Sequence, residues 1–183
     1  FENIGLTRRQ GLELAGDYTR EPWRLAFGYT YTDATFQDPI TLNSADNPYA
    51  DDNGLIFVKP GDHLPGIPAN MLKLGAEYKF SSNLSIALDG RFADGQYLRG
   101  DESNLNPKTD PYFVLDASIR YRVLDNLELF GTIENLLDAK YETFGSFSPT
   151  GDVPITEAPN ATNPRSLSPA PPISVYAGLR LTL

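Results

Sequence analysis

Residues 112–138 read YFVLDASIRYRVLDNLELFGTIENLLD, and this stretch decides the fold. Through the first arm, 113–123, every second residue is apolar, and the arginines Arg120 and Arg122 lie between them. A period of two is typical of a β-strand with one apolar and one polar face. A short turn follows, and the apolar positions resume over 127–133. The stretch therefore predicts a hairpin of two strands that share one apolar face.

The length of the first arm favours a membrane setting. It runs for about twelve residues, whereas strands of soluble proteins cluster near five or six. A tilted strand needs roughly 9–11 residues to cross a bilayer, with apolar side chains toward lipid and polar ones toward a lumen. Phe130 is the one residue of the hairpin that breaks this pattern.

The same alternation recurs in the rest of the chain and predicts five more strands, at 6–19, 23–32, 72–80, 84–93 and 173–183. With these faces assigned, seven cationic residues point away from the apolar side: Arg24, Lys73, Lys79, Arg91, Arg120, Arg122 and Arg180. A slip of one residue would turn them toward lipid, at roughly 2–4 kcal/mol each near the bilayer midplane. The charges therefore support a single register.

The connections between these strands alternate between short and long. Segments 37–68 and 139–172 are long, lack periodicity and are rich in turn formers, so we expect them to be irregular, extracellular and mobile. Outer-membrane barrels sort their loops in this way. The sequence predicts an all-β fold, an antiparallel transmembrane β-barrel segment of about seven meandering strands. Because seven is odd, the first and last strands should be open edges rather than partners.

Two sets of residues, all but one of them aromatic, are candidate functional positions. Those near strand ends predict girdles at the lipid–water interface. The alternative is that they are core aromatics of a β-sandwich. The girdle candidates are Trp23, Tyr29, Tyr31, Tyr78 and Tyr121. On the long-loop side, four residues are candidates for ligand contact, although loop aromatics also pack on their own loops: Tyr97, Arg99, Phe144 and Phe147.

Composition argues against several classes of function. A net charge of −9 opposes nucleic-acid binding, which needs clustered Lys and Arg. With no cysteine and with His63 as the one histidine, neither a common transition-metal site nor a Ser-His-Asp triad is expected. Segment 46–54 is acidic but lacks the closing Glu of an EF-hand. No apolar run is long enough for a transmembrane helix or a signal peptide. We expect no enzymatic activity and no cofactor.

Three motifs add a family resemblance. They are ENLLDAKYETFG at 134–145, QGLEL at 10–14 and GDHLPGIP at 61–68. In this order and spacing the chain resembles the C-terminal barrel portion of a TonB-dependent outer-membrane receptor of the siderophore-receptor type. Leu137 stands where the family often has Phe, and Leu183 stands where barrels usually end in Phe or Trp.

The resemblance implies an architecture and a function. Residues 1–183 would be the C-terminal part of a 22-stranded barrel and supply its last seven strands, with the plug domain and earlier strands elsewhere. The whole protein would be an active transport receptor in the outer membrane of a Gram-negative bacterium, with a ferric siderophore as the expected cargo. Its partners would be the TonB complex, outer-membrane lipid and a small-molecule iron chelate or similar nutrient. A passive porin-like channel, an adhesin barrel and a soluble β-sandwich binding module are the alternatives.

Overall fold

The computed structural model describes residues 5–149 and 162–182. Leu183 and residues 150–161 of the segment predicted to be irregular lie outside this part of the chain. Across the described residues, no helix has the length and apolar character needed to cross a membrane. The secondary structure there consists of eleven strands: β1 Thr7–Arg20, β2 Trp23–Phe36, β3 Ile40–Asn43, β4 Leu55–Val58, β5 Asn70–Lys79, β6 Leu84–Ala93, β7 Tyr112–Leu124, β8 Leu127–Glu134, β9 Glu142–Phe147, β10 Arg165–Pro169 and β11 Ser174–Leu181.

Seven of these strands form one sheet in the order β1-β2-β5-β6-β7-β8-β11, and every neighbouring pair is antiparallel. The sheet leaves out β3, β4, β9 and β10. Its remaining strands are neighbours in the same order in which they follow one another along the chain. This confirms the predicted meander. In the described residues β1 and β11 each have one neighbour, so the barrel is not closed. The described residues form one large sheet rather than two large sheets packed face to face.

The register confirms the predicted faces. One row of paired residues runs Gly16, Phe27, Leu74, Gly90, Leu115 across five strands. Parallel rows place the other apolar positions on the same side, which we call the apolar face. All seven cations named above lie on the opposite, polar face. Because side chains alternate strictly along a strand, one consistent register fixes both faces for the whole sheet.

The sheet has two unlike ends. At the short-turn end the connections are 21–22, 80–83 and 125–126, and at the long-loop end they are 37–69, 94–111 and 135–173. The predicted sorting of short and long connections is therefore present. The strands are also long for a soluble protein, since β1 and β2 each have 14 residues and β7 has 13.

The prediction that 37–68 and 139–172 are irregular was wrong. The first segment contains the antiparallel pair β3 and β4, and the second contains β9 and β10. These strands have four to six residues, too few for an alternation to stand out among turn formers. Strand β4 is a continuous apolar run rather than an alternating one. The mobility of these segments stays a prediction.

The buried apolar core lies at the long-loop end, not under the middle of the sheet. Its residues come from the upper parts of β2, β6 and β7, from β4, and from the loop after β6. In the described part of the chain they are Ala34, Phe36, Ile56, Val58, Ala93, Leu98 and Val114. Burial of apolar surface there is the main favourable term for ordering the long loops.

Candidate functional site

At the long-loop end, the connecting segments continue the wall of the sheet. The amide of Gly61 donates to the carbonyl of Phe36 over 2.8 Å, and that of Leu64 donates to the carbonyl of Ala34 over 2.9 Å. Further along, the amide of Arg99 donates to the carbonyl of Gly145 over 2.9 Å and so joins the second loop to β9. We call the described residues of 37–69, 94–111 and 135–173 the cap. The GDHLPGIP motif is thus the segment that pairs with the top of β2.

A buried polar network locks two of the cap loops together. The Asp101 carboxylate is fully buried and accepts hydrogen bonds from the amides of Leu105 and Asn106, over 3.2 and 3.0 Å. The Asn106 side-chain amide donates to Asp101 over 2.9 Å and to Asn47 Oδ1 over 3.0 Å. Asn47 in turn donates to the carbonyl of Gly100 over 2.7 Å. Because each buried polar group is satisfied, the network can hold the first and second loops in one arrangement.

A cleft of about 570 Å³ opens beside this cap. The guanidinium-bearing residues Arg9 and Arg99 line it together with Glu102, Leu64 and Phe144. The structure therefore brings two of the four ligand-side candidates, Arg99 and Phe144, into one concave site. Sequence reasoning missed Arg9, although its odd-numbered position in β1 places it on the polar face with Glu13. The cleft offers positive charge beside apolar surface.

The other two ligand-side candidates lie apart from this cleft. The Tyr97 ring lies under the Lys108 ammonium, whose Nζ is 4.8 Å from the ring centroid. The centroids of the Tyr97 and His63 rings are 6.3 Å apart. Phe147 packs against Gly100, where an added Cβ would come within 3.2 Å of Phe147 Cδ2. Both rings thus pack on neighbouring loops.

The five girdle candidates lie in two bands on the apolar face. Trp23 and Tyr78 are opposite each other near the short-turn end, with ring centroids 4.7 Å apart in an edge-to-face arrangement. Tyr121 belongs to the same end, while Tyr29 and Tyr31 lie toward the long loops. Tyr31 follows Trp23 by eight residues, about 26 Å along the strand. A tilt of about 40° reduces this to roughly 20 Å, close to the height of an outer-membrane apolar band. Their interfacial role stays a prediction.

The ENLLD motif forms a joint between strands. Asn135 is 3% exposed and has a positive φ of 51°, a left-handed conformation that Asn tolerates. Its amide donates to Asp116 Oδ1 over 2.9 Å, and its side-chain nitrogen donates to the carbonyls of Ala139 and Pro171 over 3.0 and 3.2 Å. Asp138 accepts the amide of Ile173 over 3.1 Å. The motif therefore ties the end of β8 to the start of β11.

Two groups in the cap have shifted pKa values. The amides of Leu55 and Asn53 donate to the Asp51 carboxylate and hold its pKa below the usual range. That carboxylate caps the turn before β4. Among the described residues, no group of three His, Asp or Glu side chains is placed to hold a metal ion. Burial raises the pKa of the Tyr141 phenol, whose ring centroid lies 4.4 Å from that of Tyr112.

Comparison with known proteins decides the family. Residues 1–136 match the family model described as TonB dependent receptor-like, beta-barrel. The chain belongs to this family. Members of this family are transport receptors. Because the chain belongs to the family, its sheet lies in the outer membrane of a Gram-negative bacterium. The apolar face is accordingly the one toward lipid.

Curated relatives of this chain include siderophore receptors. The probable TonB-dependent siderophore receptor PiuA of Acinetobacter baumannii is 30% identical over 148 residues, which cover 78% of this chain and 18% of PiuA. The catecholate siderophore receptor Fiu of Escherichia coli strain K12 is 27% identical over 145 residues, or 77% of this chain and 17% of Fiu. The chain thus spans less than a fifth of the length of either relative.

Solved structures share the fold of this chain. The siderophore receptor PiuA from Acinetobacter baumannii superposes with a TM-score of 0.71 at 21% identity, over 96% of this chain and 22% of that one. The ferric yersiniabactin uptake receptor FyuA from Yersinia pestis gives 0.70 at 15% identity, over 98% and 24%. At these identities the likeness establishes the barrel fold alone.

Proposed function

We propose that this chain is part of an outer-membrane receptor that imports a ferric siderophore with energy delivered through TonB. The observation that carries the proposal is the family match over residues 1–136. The names of PiuA and Fiu supply the cargo class. A small iron chelate rather than a macromolecule also suits a cleft of about 570 Å³.

The same proposal covers the architecture of the whole receptor. Residues 1–183 supply the last seven strands of a 22-stranded barrel, and the plug domain and earlier strands lie elsewhere in the receptor. Strands β1 and β11 then pair with strands outside this stretch. A bare strand edge in lipid leaves N–H and C=O groups without partners, at several kcal/mol for each group. Such pairing removes that cost.

The chemistry of the cleft fits an iron(III) chelate. Iron(III) is a hard cation that favours anionic oxygen ligands, and such oxygen atoms can accept hydrogen bonds from guanidinium groups such as those of Arg9 and Arg99. The exposed ring of Phe144 offers apolar surface for the organic part of the chelate. We therefore propose that Arg9, Arg99 and Phe144 contact cargo, and that Tyr97 and Phe147 act by ordering the loops behind them.

Uptake by the full-length receptor tests this function. A strain that lacks the receptor gene is supplied with one ferric siderophore at a time as its iron source. We expect loss of growth on at least one of them, recovery on complementation, and no recovery when TonB is also deleted. Growth on every iron source in the deletion strain, or uptake without TonB, would favour a passive channel or an adhesin.

A second measurement tests the cleft. Replacing Arg99 with Ala in the full-length receptor should weaken binding of the imported chelate about tenfold, since a hydrogen bond to a charged group contributes about 1.5 kcal/mol. The matched control is Arg20→Ala, which removes an exposed arginine at the short-turn end. Equal affinities of the two variants for the chelate would show that Arg99 does not contact it.

A further inference from the structure

A row of polar and cationic side chains lies on the outside of the sheet, at its long-loop end. On β2, Asp33 follows Tyr31 by two residues, so its side chain is on the same face as that girdle candidate. On β1, Arg8 and Gln10 belong to this face as well, because Gln10 is the register partner of Asp33. The face toward lipid therefore ends in charged groups, just beyond the aromatic band of the long-loop end.

The Asp33 carboxylate lies at the centre of this row. Gln10 Nε2 donates to Asp33 Oδ2 over 2.9 Å, and the guanidinium of Arg8 lies 3.9 Å from the same oxygen. On the other side, His63 Nε2 is 3.9 Å from Asp33 Oδ1. The side chains of Arg8 and His63 are about half exposed, at 54% and 48%. The negative charge of Asp33 is thus already engaged, whereas the cation beside it faces outward.

The row continues from His63 across the second long loop. The rings of His63 and Tyr97 are neighbours, and Lys108 Nζ lies 4.8 Å from the centroid of the Tyr97 ring. Lys108 is exposed and forms no ion pair within 5–149 and 162–182. The carboxylate that follows β6, Asp94, accepts the side-chain amide of Asn70. We call the following five residues the outer ledge: Arg8, Asp33, His63, Tyr97 and Lys108.

A groove of about 600 Å³ lies on the same face, deeper in the membrane. Its lining includes Gly16, Phe27, Leu74 and Gly90. Phe27 is six residues from Asp33 along β2, which is about 20 Å of strand. At a tilt of about 40° this corresponds to a depth of about 15 Å, the middle of a hydrocarbon core about 30 Å thick. A lipid with its head group at the outer ledge therefore has room for an acyl chain below it.

We propose that the outer ledge binds the phosphate groups of the glycolipid that forms the outer leaflet of the outer membrane. The long loops of such barrels are extracellular, so the ledge meets the head groups of that leaflet. Its two permanent cations, Arg8 and Lys108, outnumber its one carboxylate, and guanidinium and ammonium groups form charge-assisted hydrogen bonds with phosphate. The site lies on the opposite face of β1 from Arg9, so it is separate from the proposed cargo cleft.

Native mass spectrometry of the full-length receptor tests the proposal, with diphosphoryl lipid A as the probe. The receptor is purified in detergent and titrated with the lipid, and the fraction of receptor that carries one lipid gives the affinity. The double variant Arg8→Gln/Lys108→Gln should weaken binding about tenfold or more, since two hydrogen bonds between charged groups are lost. Arg8→Lys/Lys108→Arg, which keeps both charges, should retain most of the affinity.

Two controls separate this site from general attraction to lipid. Arg20→Gln removes an exposed arginine from the same face of β1 at the short-turn end and should leave the affinity unchanged. Lipid A without its phosphates should bind the unaltered receptor as weakly as diphosphoryl lipid A binds the double Gln variant. Heat-modifiable migration on a gel verifies that each variant has folded.

Three results would overturn the proposal. They are an unchanged affinity in the double Gln variant, an equal loss in Arg20→Gln, and equal binding of lipid A with and without phosphate. Tighter binding of phosphatidylglycerol than of diphosphoryl lipid A would also contradict it, because that lipid is a phospholipid and not the glycolipid of the outer leaflet. Failure here would leave the uptake proposal standing, since siderophore-dependent growth measures that separately.

Discussion

The sheet and the cap use the same kinds of residue in opposite ways. On the apolar face of the sheet, Leu74 is 45% exposed and Leu88 is 41% exposed, whereas in the cap Ile56 and Leu98 are 2% and 1% exposed. The difference follows from two solvents. The sheet places its apolar side chains toward lipid and needs no core of its own, while the cap meets water and must build one.

Polar groups show the same reversal. In the sheet they collect on the polar face, as in the ion pair of Arg91 with Asp116 at 2.7 Å. In the cap they lie inside, as Asp101 and Asn106 do, each with hydrogen-bond partners. The comparison teaches that the burial expected of a residue depends on whether the residue lies in the sheet or in the cap.

The largest expected effect tests the lipid side of this comparison. Leu74 lies in the middle row of the apolar face, opposite Phe27, so Leu74→Arg in the full-length receptor should destabilise the folded barrel by about 2–4 kcal/mol. Ala87→Arg on the polar face is the matched control and should cost less than about 1 kcal/mol. Urea unfolding in lipid vesicles measures both. Equal losses would mean that the two faces are not in different solvents.

The cap should respond to loss of its buried carboxylate. Asp101→Ala leaves the amides of Leu105 and Asn106 without acceptors, at about 1–3 kcal/mol each. We expect faster hydrogen exchange at these two amides, by about a hundredfold, with the strands of the sheet unchanged. Asp125→Ala, in a turn at the other end, should not alter them. Unchanged exchange in the Asp101 variant would show that the loops hold without the network.

A smaller effect is expected at the joint between sheet and cap. Asn135→Asp keeps the acceptor for the Ala139 amide but loses the donor to the carbonyls of Ala139 and Pro171. Two lost hydrogen bonds, together with the negative charge placed at a position that is 3% exposed, should cost about 2–3 kcal/mol in urea unfolding. The control, Asn83→Asp, lies in a short turn and should be nearly neutral. If both variants unfold alike, the joint contributes little to stability.

The smallest effect is one of exposure. Spin labels at Phe27 and at Gly28 of the full-length receptor should differ in accessibility, because the two residues point to opposite faces of β2. The label at Phe27 should respond to oxygen, which partitions into lipid, and the label at Gly28 to a water-soluble relaxant. The same response at both sites would contradict the assignment of the apolar face.

The sheet was predictable from sequence because lipid imposes a simple rule on every strand. Leu72, Leu74 and Ala76 must face one way, and Lys73 and Glu77 the other, so the faces and the register follow from alternation alone. The motif that contains Asn135 was recognised by resemblance. Its role as a joint could not be predicted from sequence, because its hydrogen-bond partners come from three parts of the chain.

The cap and the cleft were only partly predictable, since they depend on contacts between distant residues. Asn47 and Asp101 lie far apart in the chain, and no local pattern indicates that they share a buried network. Arg99 was a candidate from its place in a long loop, whereas its neighbour in the cleft, Arg9, belongs to the first strand. Short strands such as β4 are stabilised by burial in the cap, which sequence periodicity does not record.

The joint at Asn135 also separates two properties that loops usually link. The hydrogen bonds of Asn135 to Pro171, and of Asp138 to Ile173, fix where β11 begins relative to β8, whatever the chain does between them. We therefore expect insertions or grafted sequences placed between β9 and β10 to leave the pairing of β11 with β8 untouched. Closing a longer loop adds only about 0.6 kcal/mol for each doubling of its length. This interval is a place where a new binding surface could be engineered without redesigning the barrel.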